Sequence, residues 1–396
     1  MSDHHQVLIV GGGAAGISVA ARLRDLDEPL DVGIIEPTEE HYYQPIWTLV
    51  GAGVFDKEMS RKSEEEYIPD GADWIKEAAA EFHPEDKKFV TDQGNEYTYD
   101  YLVVAAGIQI NWDAVKGLEG NVGEHGICSN YTYDTVDTTW DTLRHFRGGN
   151  AIFTFPDTAI KCAGAPQKIM WLAEHWMRKQ GIRDDSNVVY AASTGGIFGV
   201  DKYAKPLSRL VEERDIETHF SVNLTEIVPE EKKAVFEHTD GDGEDFVLDY
   251  EMLHVTPPQG PPDFIKDSPI ADEAGWVDVD MYTTQHVDYP NIFSLGDCSS
   301  LPTSKTGAAV RKEVPVTVEN LLAEMRGDSL EAEYNGYASC PLVTGYGRLI
   351  LCEFDYEGNP DETFPFNQAQ ERYSMYALKA YGLPDMYWHG MLRGRM

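Results

Sequence analysis

Basic residues are scarce in this chain: 32 lysines and arginines stand against 68 aspartates and glutamates, a net charge of −36 over 396 residues. Such a field repels phosphate backbones and anionic lipid, which excludes nucleic acid as a general partner. It predicts a protein of halophilic type, most stable where salt screens its self-repulsion. Cysteine is sparse as well. The five residues Cys128, Cys162, Cys298, Cys340 and Cys352 include no C-x-x-C pair, so no zinc or other metal site is expected. An odd, scattered set is not a disulfide scaffold. No run of about 18 apolar residues occurs, which excludes a membrane-spanning helix. The N-terminus lacks a basic start and a cleavable apolar core, so no signal peptide is expected. The expected location is cytoplasmic, or peripheral on the cytoplasmic face of the cell membrane. Short-period repeats and low-complexity linkers are also missing. Hydrophobic residues make up 42%, the composition of a globular chain, and its length suits two or three domains.

What is present begins at once. Gln6-Val7-Leu8-Ile9-Val10 reads as a buried parallel strand. Gly11, Gly13 and Gly16 follow it at G-x-G-x-x-G spacing, with Ala14 and Ala15 between, and Ile17 to Leu26 continues as an amphipathic helix. Glu36 closes the next apolar run, Val32 to Ile35, 20 residues past the last glycine. Gly11 allows a tight turn, Gly13 lets backbone approach a pyrophosphate, and Gly16 lets helix and strand pack closely. The helix N-terminus offers free amides to the phosphates, and Glu36 accepts hydrogen bonds from a ribose.

A second unit reads as strands at Ala151–Phe155 and Asn187–Ala191 with a helix at Gln167–Arg178. Its loop, Thr194-Gly195-Gly196-Ile197-Phe198-Gly199, has Thr194 where a dinucleotide fingerprint needs glycine, and His219 where it needs an acid. This argues against a nicotinamide site. The expected fold class is α/β, with two Rossmann-like domains of the FAD/NAD(P)-binding type and an aromatic-rich C-terminal region. The divisions fall at 1–110 and 266–330 for the two parts of an FAD-binding domain, 111–265 for the second Rossmann-like domain, and 331–396 for a quinone- or membrane-facing region.

The segments Val7–Gly16 with Glu36, Val103–Gly107 and Ser294–Asp297 resemble the FAD contacts of the two-dinucleotide-binding-domain flavoproteins. That likeness implies FAD as cofactor, with Gly296-Asp297 placing a carboxylate on the ribityl chain. Ala106 stands before Gly107 where those proteins usually carry threonine, so one hydroxyl contact is lost.

Cys162 lies in Lys161-Cys162-Ala163-Gly164-Ala165-Pro166-Gln167-Lys168, between a strand and a helix. A helix N-terminus and Lys161 both favour the thiolate there. Cys340 reads as a loop residue before a strand, 178 positions away. These two segments resemble the sulfide:quinone oxidoreductase family, its mitochondrial-like branch in particular. So do Phe153–Pro156, Tyr250–Pro258, Leu301–Thr306 and Ser339–Tyr346. The likeness runs from Val7 to Gly394.

It implies that Cys162 and Cys340 form a disulfide, direct or sulfur-bridged, beside the flavin. Hydrosulfide attacks at Cys340 and leaves a persulfide, and Cys162 departs as a thiolate facing the flavin. Two electrons pass to FAD and then to a quinone, and the sulfur leaves on a small-molecule acceptor or as polysulfide. A labile disulfide and an acidic leaving thiol suit that chemistry. Lys305 is expected near flavin N1/O2, stabilising reduced flavin. The segment Arg311–Pro315 departs from the family's small residues and is expected to alter the helix that faces the flavin.

Cys128 is either a third sulfur-handling residue or a buried small one. Cys298 and Cys352 read as packing residues. Phe364 and Phe366 are the candidate quinone contacts, since aromatic faces suit a quinone ring. Met386–Arg393 has the mixed character of a segment that dips into a membrane surface, and the short tail beyond it leaves only weak peripheral contact. Three other readings stay open. In a flavin NADH:quinone reductase, NADH but not sulfide would reduce the flavin. A non-catalytic FAD-containing sulfur-binding protein would be bleached by sulfide without turnover. A structural relic would be colourless.

Overall fold

The computed structural model describes residues 3–241 and 243–396. The chain opens with β1 (Asp3–Val10), α1 (Ala14–Arg24) and β2 (Val32–Ile35), followed by β3 (Asp73–Ile75), β4 (Ala79–His83), β5 (Lys88–Thr91) and β6 (Glu96–Val104). In the second unit come β7 (Ile127–Cys128), α2 (Val136–His145), β8 (Gly149–Phe155), α3 (Ala165–Gln180), β9 (Ser186–Ala192), α4 (Asp201–Glu213), β10 (Glu217–Phe220) and β11 (Met252–His254). The chain then returns through β12 (Ile292–Ser294) and α5 (Gly307–Arg326), and ends in β13 (Ala338–Gly345), β14 (Arg348–Phe354) and α6 (Leu383–His389).

Two sheets organise the molecule. The first has the order β3-β2-β1-β6-β5-β4, with β12 beside the C-terminal half of β6. Its β3, β2, β1, β6 and β12 run parallel, and all four residues of β2 and the last four of β1 are buried. Strands covered on both faces read as continuous apolar runs, which is why Val7–Val10 and Val32–Ile35 were legible. The second sheet, β7-β11-β8-β9-β10, is wholly parallel. Both sheets, with helices in the crossovers, make the doubly wound α/β architecture expected. A three-stranded antiparallel sheet, Val222–Val228, Lys233–His238 and Phe246–Asp249, sits beside the second.

β13 and β14 form a separate antiparallel hairpin against α3. The helix α3 begins with Pro166 in its first turn and ends at Gly181, which takes the left-handed conformation that closes helices. Its buried face carries Ile169, Met170, Leu172, Ala173 and Met177, and also Lys168. The helix α5 runs unbroken through Pro315, so the departure at Arg311–Pro315 changes side chains but does not end the helix.

Candidate active site and cofactor loop

The loop after β1 is shaped by contacts no larger residue could make. Gly11 has φ +103, and a Cβ there would stand 2.5 Å from the Ala105 carbonyl oxygen. One on Gly16 would lie 1.9 Å from the Gly11 carbonyl oxygen, so α1 packs against the loop only because that position is bare. At Gly13 a Cβ would meet nothing within 4 Å. Open space lies in front of α1, whose N-terminus carries no side-chain cap. Uncapped amides facing open space make an anion site for a pyrophosphate. Glu36 accepts the Gly12 amide at 2.8 Å through one oxygen and the Thr38 amide at 2.9 Å through the other, so lone pairs remain for a ribose hydroxyl. Gly107, at φ +75, likewise faces open space. A dinucleotide cofactor fits this cradle.

The thiols at 162 and 340 meet at 3.4 Å. Cys162 sits in the loop between β8 and α3 at φ +58, a left-handed conformation unusual for a residue with a Cβ. Two backbone bonds hold it there: its amide donates to the Lys305 carbonyl at 2.8 Å, and its carbonyl accepts from Ala165 at 2.7 Å. Cys340 is buried within β13 and not in a loop. Pro341 reads as a strand breaker, but a two-stranded hairpin has free edges on which proline is tolerated.

The charge that acts on these sulfurs comes from Lys168. Its ammonium lies 3.0 Å from Cys162 Sγ. Lys161, expected in that role, instead donates to Gln44 Oε1 at 2.7 Å and the Tyr131 carbonyl at 2.8 Å. The Cys162 thiol is held well below its ordinary pKa by the hydrogen bond with Cys340, and further by Lys168 and the charge of Lys379. Cys340 is pushed up, first by that same hydrogen bond and then by burial. Lys379 is buried, with its own pKa lowered to about 7 by burial and by Lys168. One thiol is therefore a stabilised leaving group and its neighbour is not, which is the asymmetry a reactive disulfide needs.

Comparison with known proteins gives the family. Residues 5–140 match the pyridine nucleotide-disulphide oxidoreductase family. The mitochondrial sulfide:quinone oxidoreductase of Mus musculus is 49% identical over 392 residues, covering 99% of this chain and 87% of the mouse protein. The chain belongs to the sulfide:quinone oxidoreductase family. Its Dictyostelium discoideum relative, also a mitochondrial sulfide:quinone oxidoreductase, is 47% identical over 98% of this chain and 86% of its own length. The crystal structure of the sulfide:quinone oxidoreductase from Aquifex aeolicus superposes with a TM-score of 0.82 at 20% identity, covering 100% of this chain and 92% of that one, a likeness in fold. Members of the family are FAD-dependent flavoproteins, and FAD is a dinucleotide.

Of the remaining expected residues, Lys305 and Asp297 lie near this centre. Asp297 follows Gly296 in a short helical turn after β12. Burial pushes its carboxyl up, while Lys305 and Lys161 pull it down. The Lys305 ammonium donates to the Ser299 carbonyl at 3.0 Å and lies 4.0 Å from the centre of the Trp276 ring. Sequence reasoning missed Glu313. Its carboxylate accepts the Gly296 amide at 2.8 Å, and burial raises its pKa to about 7. Cys128 is wholly buried beside Thr139 and Thr142 of α2, with its thiol pushed up to about 12 by burial. Cys298 is packed between Ser294 and the Val104 carbonyl.

Phe364 and Phe366 are half-buried and stack with ring centres 5.3 Å apart. The tail differs from expectation. Tyr387, Trp388, Met391 and Leu392 are buried and do not face outward. Tyr387 bonds His41 at 2.5 Å, His41 bonds Glu64 at 2.8 Å, and Trp388 packs on His41, Tyr43 and Tyr67. An amphipathic composition suits an inner face as well as a lipid surface, and here a buried aromatic pocket takes it. Among the described residues no helix is long and apolar enough to cross a membrane.

Proposed function

We propose that this protein oxidises sulfide through a redox-active disulfide between Cys162 and Cys340 and delivers the electrons to a quinone. The observation that carries the reading is the approach of the two thiols to 3.4 Å with Lys168 beside one of them. FAD, bound on the loop after β1, supplies a two-electron acceptor that quinone reoxidises. In the oxidised protein, hydrosulfide attacks Cys340 Sγ. A sulfur–sulfur bond forms there, the bond to Cys162 breaks, and Cys162 departs as a thiolate paired with Lys168. Lys379, buried and titrating at about 7, adds positive charge to the pocket in its protonated form, and that charge attracts an anion.

The terminal sulfur then leaves Cys340 for a small nucleophile. The two thiolates re-form their bond with loss of two electrons, which closes the cycle. Gly11, Gly13, Ala14, Ala15, Gly16, Glu36, Ala106, Gly107, Gly296 and Asp297 hold the cofactor, and Lys305 balances charge at its redox end. Phe364 and Phe366 are the proposed quinone contacts. The quinone makes a membrane surface the working place of the protein. We assign it a peripheral position there, through Tyr373, Tyr381 and Met386, which are 70%, 61% and 38% exposed. Side chains of this kind favour the interface between lipid and water.

Anaerobic sulfide titration of the flavin absorbance, with decylubiquinone turnover, tests the assignment. Cys162→Ser and Cys340→Ser are each expected to lower turnover by about a hundredfold or more, as when one member of a nucleophilic unit is lost. Near-normal rates in both variants refute it. Reduction by NADH in place of sulfide refutes the reaction itself.

A further inference from the structure

The C-terminal hairpin places a third sulfur opposite the pair. In the antiparallel register of β13 and β14, Cys340 faces Cys352 directly. Directly opposed residues project to the same side of a two-stranded sheet, with Cβ atoms about 4.5–5.5 Å apart. A disulfide spans about 3.5–4.5 Å between Cβ atoms, so a small closure joins them. The side that Cys340 presents is the one covered by the start of α3: its Sγ lies 2.9 Å from where a Cβ on Gly164 would stand and 3.4 Å from Cys162 Sγ. Cys352 is wholly buried and feels the charges of Lys168 and Cys162. Three thiols and the Lys168 ammonium thus share one site, with Cys162 at its partly exposed side.

We propose that Cys352 is an exchange partner of Cys340, converting the Cys162–Cys340 disulfide into a cross-strand Cys340–Cys352 disulfide that stores the enzyme oxidised with Cys162 free. The proposal rests on the disulfide reading given above. In the exchange, Cys352 Sγ attacks Cys340 Sγ, the 340–352 bond forms and the 162–340 bond breaks. The proton given up by Cys352 goes to Cys162 or to water, and no electron enters or leaves. Exchange runs toward expulsion of the more acidic thiol. Once Cys340 is in a disulfide it has no proton to donate, so it is Lys168, 3.0 Å away, that stabilises the expelled Cys162 thiolate, while burial holds Cys352 well up. That ordering favours the cross-strand bond, and the closure of the strands opposes it. The small thiolate fraction of Cys352 makes the exchange slow in both directions.

Sulfide itself reverses storage. Hydrosulfide attacking Cys340 Sγ of the stored form yields the same Cys340 persulfide and releases Cys352. Cys352 is a poorer leaving group than Cys162, so the first turnover of stored enzyme lags.

The test is disulfide mapping of the holoenzyme after storage in air without sulfide, quenched in acid, denatured, alkylated with iodoacetamide and digested with trypsin without reductant. Arg348 separates the two cysteines, which places them on different peptides. The expected result is a Cys340 peptide joined to a Cys352 peptide with Cys162 alkylated, and a lag in sulfide oxidation that Cys352→Ala abolishes while retaining FAD. The Cys162→Ser holoenzyme, treated with diamide, is expected to lose two free thiols and give the same joined peptides. Finding Cys352 alkylated in both proteins, with Cys162 joined to Cys340 in the wild type, overturns the proposal and leaves the proposed function standing. Finding Cys340 joined to neither partner removes the disulfide reading and this inference with it.

Discussion

Replacing Lys168 by methionine removes the cation beside Cys162 while keeping an unbranched side chain of similar length in a buried place. The ammonium lies 3.0 Å from the sulfur. A hydrogen bond to a charged partner contributes about 1.5–3 kcal/mol, and each pH unit of titration corresponds to about 1.4 kcal/mol. A cation favours the charged thiolate and so lowers the pKa; its removal moves the titration to higher pH, by about one to two pH units. The assay is the pH dependence of iodoacetamide alkylation at Cys162 in the fully reduced protein, read from its peptide by mass spectrometry. At pH values below the wild-type midpoint the variant is expected to react about ten- to a hundredfold more slowly, in step with its thiolate fraction. Turnover with sulfide should fall in parallel, because the same thiolate is the leaving group. A midpoint that stays where it was, or moves down, refutes the assignment of Lys168. The charge on Cys162 would then come from Cys340 and Lys379.

Two glycine substitutions separate folding from cofactor binding. Gly16→Ala drives a methyl into the Gly11 carbonyl and is expected to cost about 3 kcal/mol of stability even without cofactor. Gly13→Ala meets only open space, so the melting temperature of the cofactor-free protein should hold while FAD affinity, measured by flavin fluorescence, falls about tenfold or more. In Glu313 the carboxyl is raised from 4.5 to about 7 by burial. A carboxyl raised on folding contributes stability below its unfolded pKa and loses it as pH climbs through the folded value. Glu313→Gln should therefore melt higher than wild type at pH 8 and show little difference at pH 4.5, and an equal gap at both values would count against burial as the cause. The net charge of −36 predicts a melting temperature that rises from dilute buffer to molar KCl; greatest stability in dilute buffer would contradict that.

The cofactor loop was legible because its signal is local. Turn, close approach and helix packing fall within Gly11–Gly16, and Glu36 follows at a fixed distance along one βαβ unit. The family likeness was legible from the runs around Cys162 and Cys340, and it implied their meeting; spacing alone did not, since 178 positions of chain separate them and the packing of α3 on β13 closes the gap. Lys168 was hidden by helix phase. Cys162 precedes α3 and Lys168 lies within its first turns, so which side the ammonium takes depends on how the loop enters the helix. Lys161, adjacent in sequence, points away to Gln44 and Tyr131. The tail misled because a composition of tyrosine, tryptophan, methionine and arginine does not say which surface it covers. His41 and Glu64, far upstream, decide that. Glu313 lay in the noted Arg311–Pro315 stretch, yet nothing in its neighbours tells that a carboxylate there turns inward to a glycine amide.

Lys305 touches both halves of the chemistry with one residue. Its peptide carbonyl anchors the amide of Cys162, and its ammonium anchors the Ser299 carbonyl two positions beyond Asp297. The segment bearing Cys162 is thereby riveted to the segment of Gly296-Asp297, which we propose lies along the ribityl chain. With its amide and carbonyl both bonded, the freedom left to Cys162 is rotation about its own Cα–Cβ bond. A segment anchored on both sides in this way is expected to move little during the reaction, so the arrival and departure of sulfur compounds at the pocket, and not a loop swing, would set the tempo of the cycle.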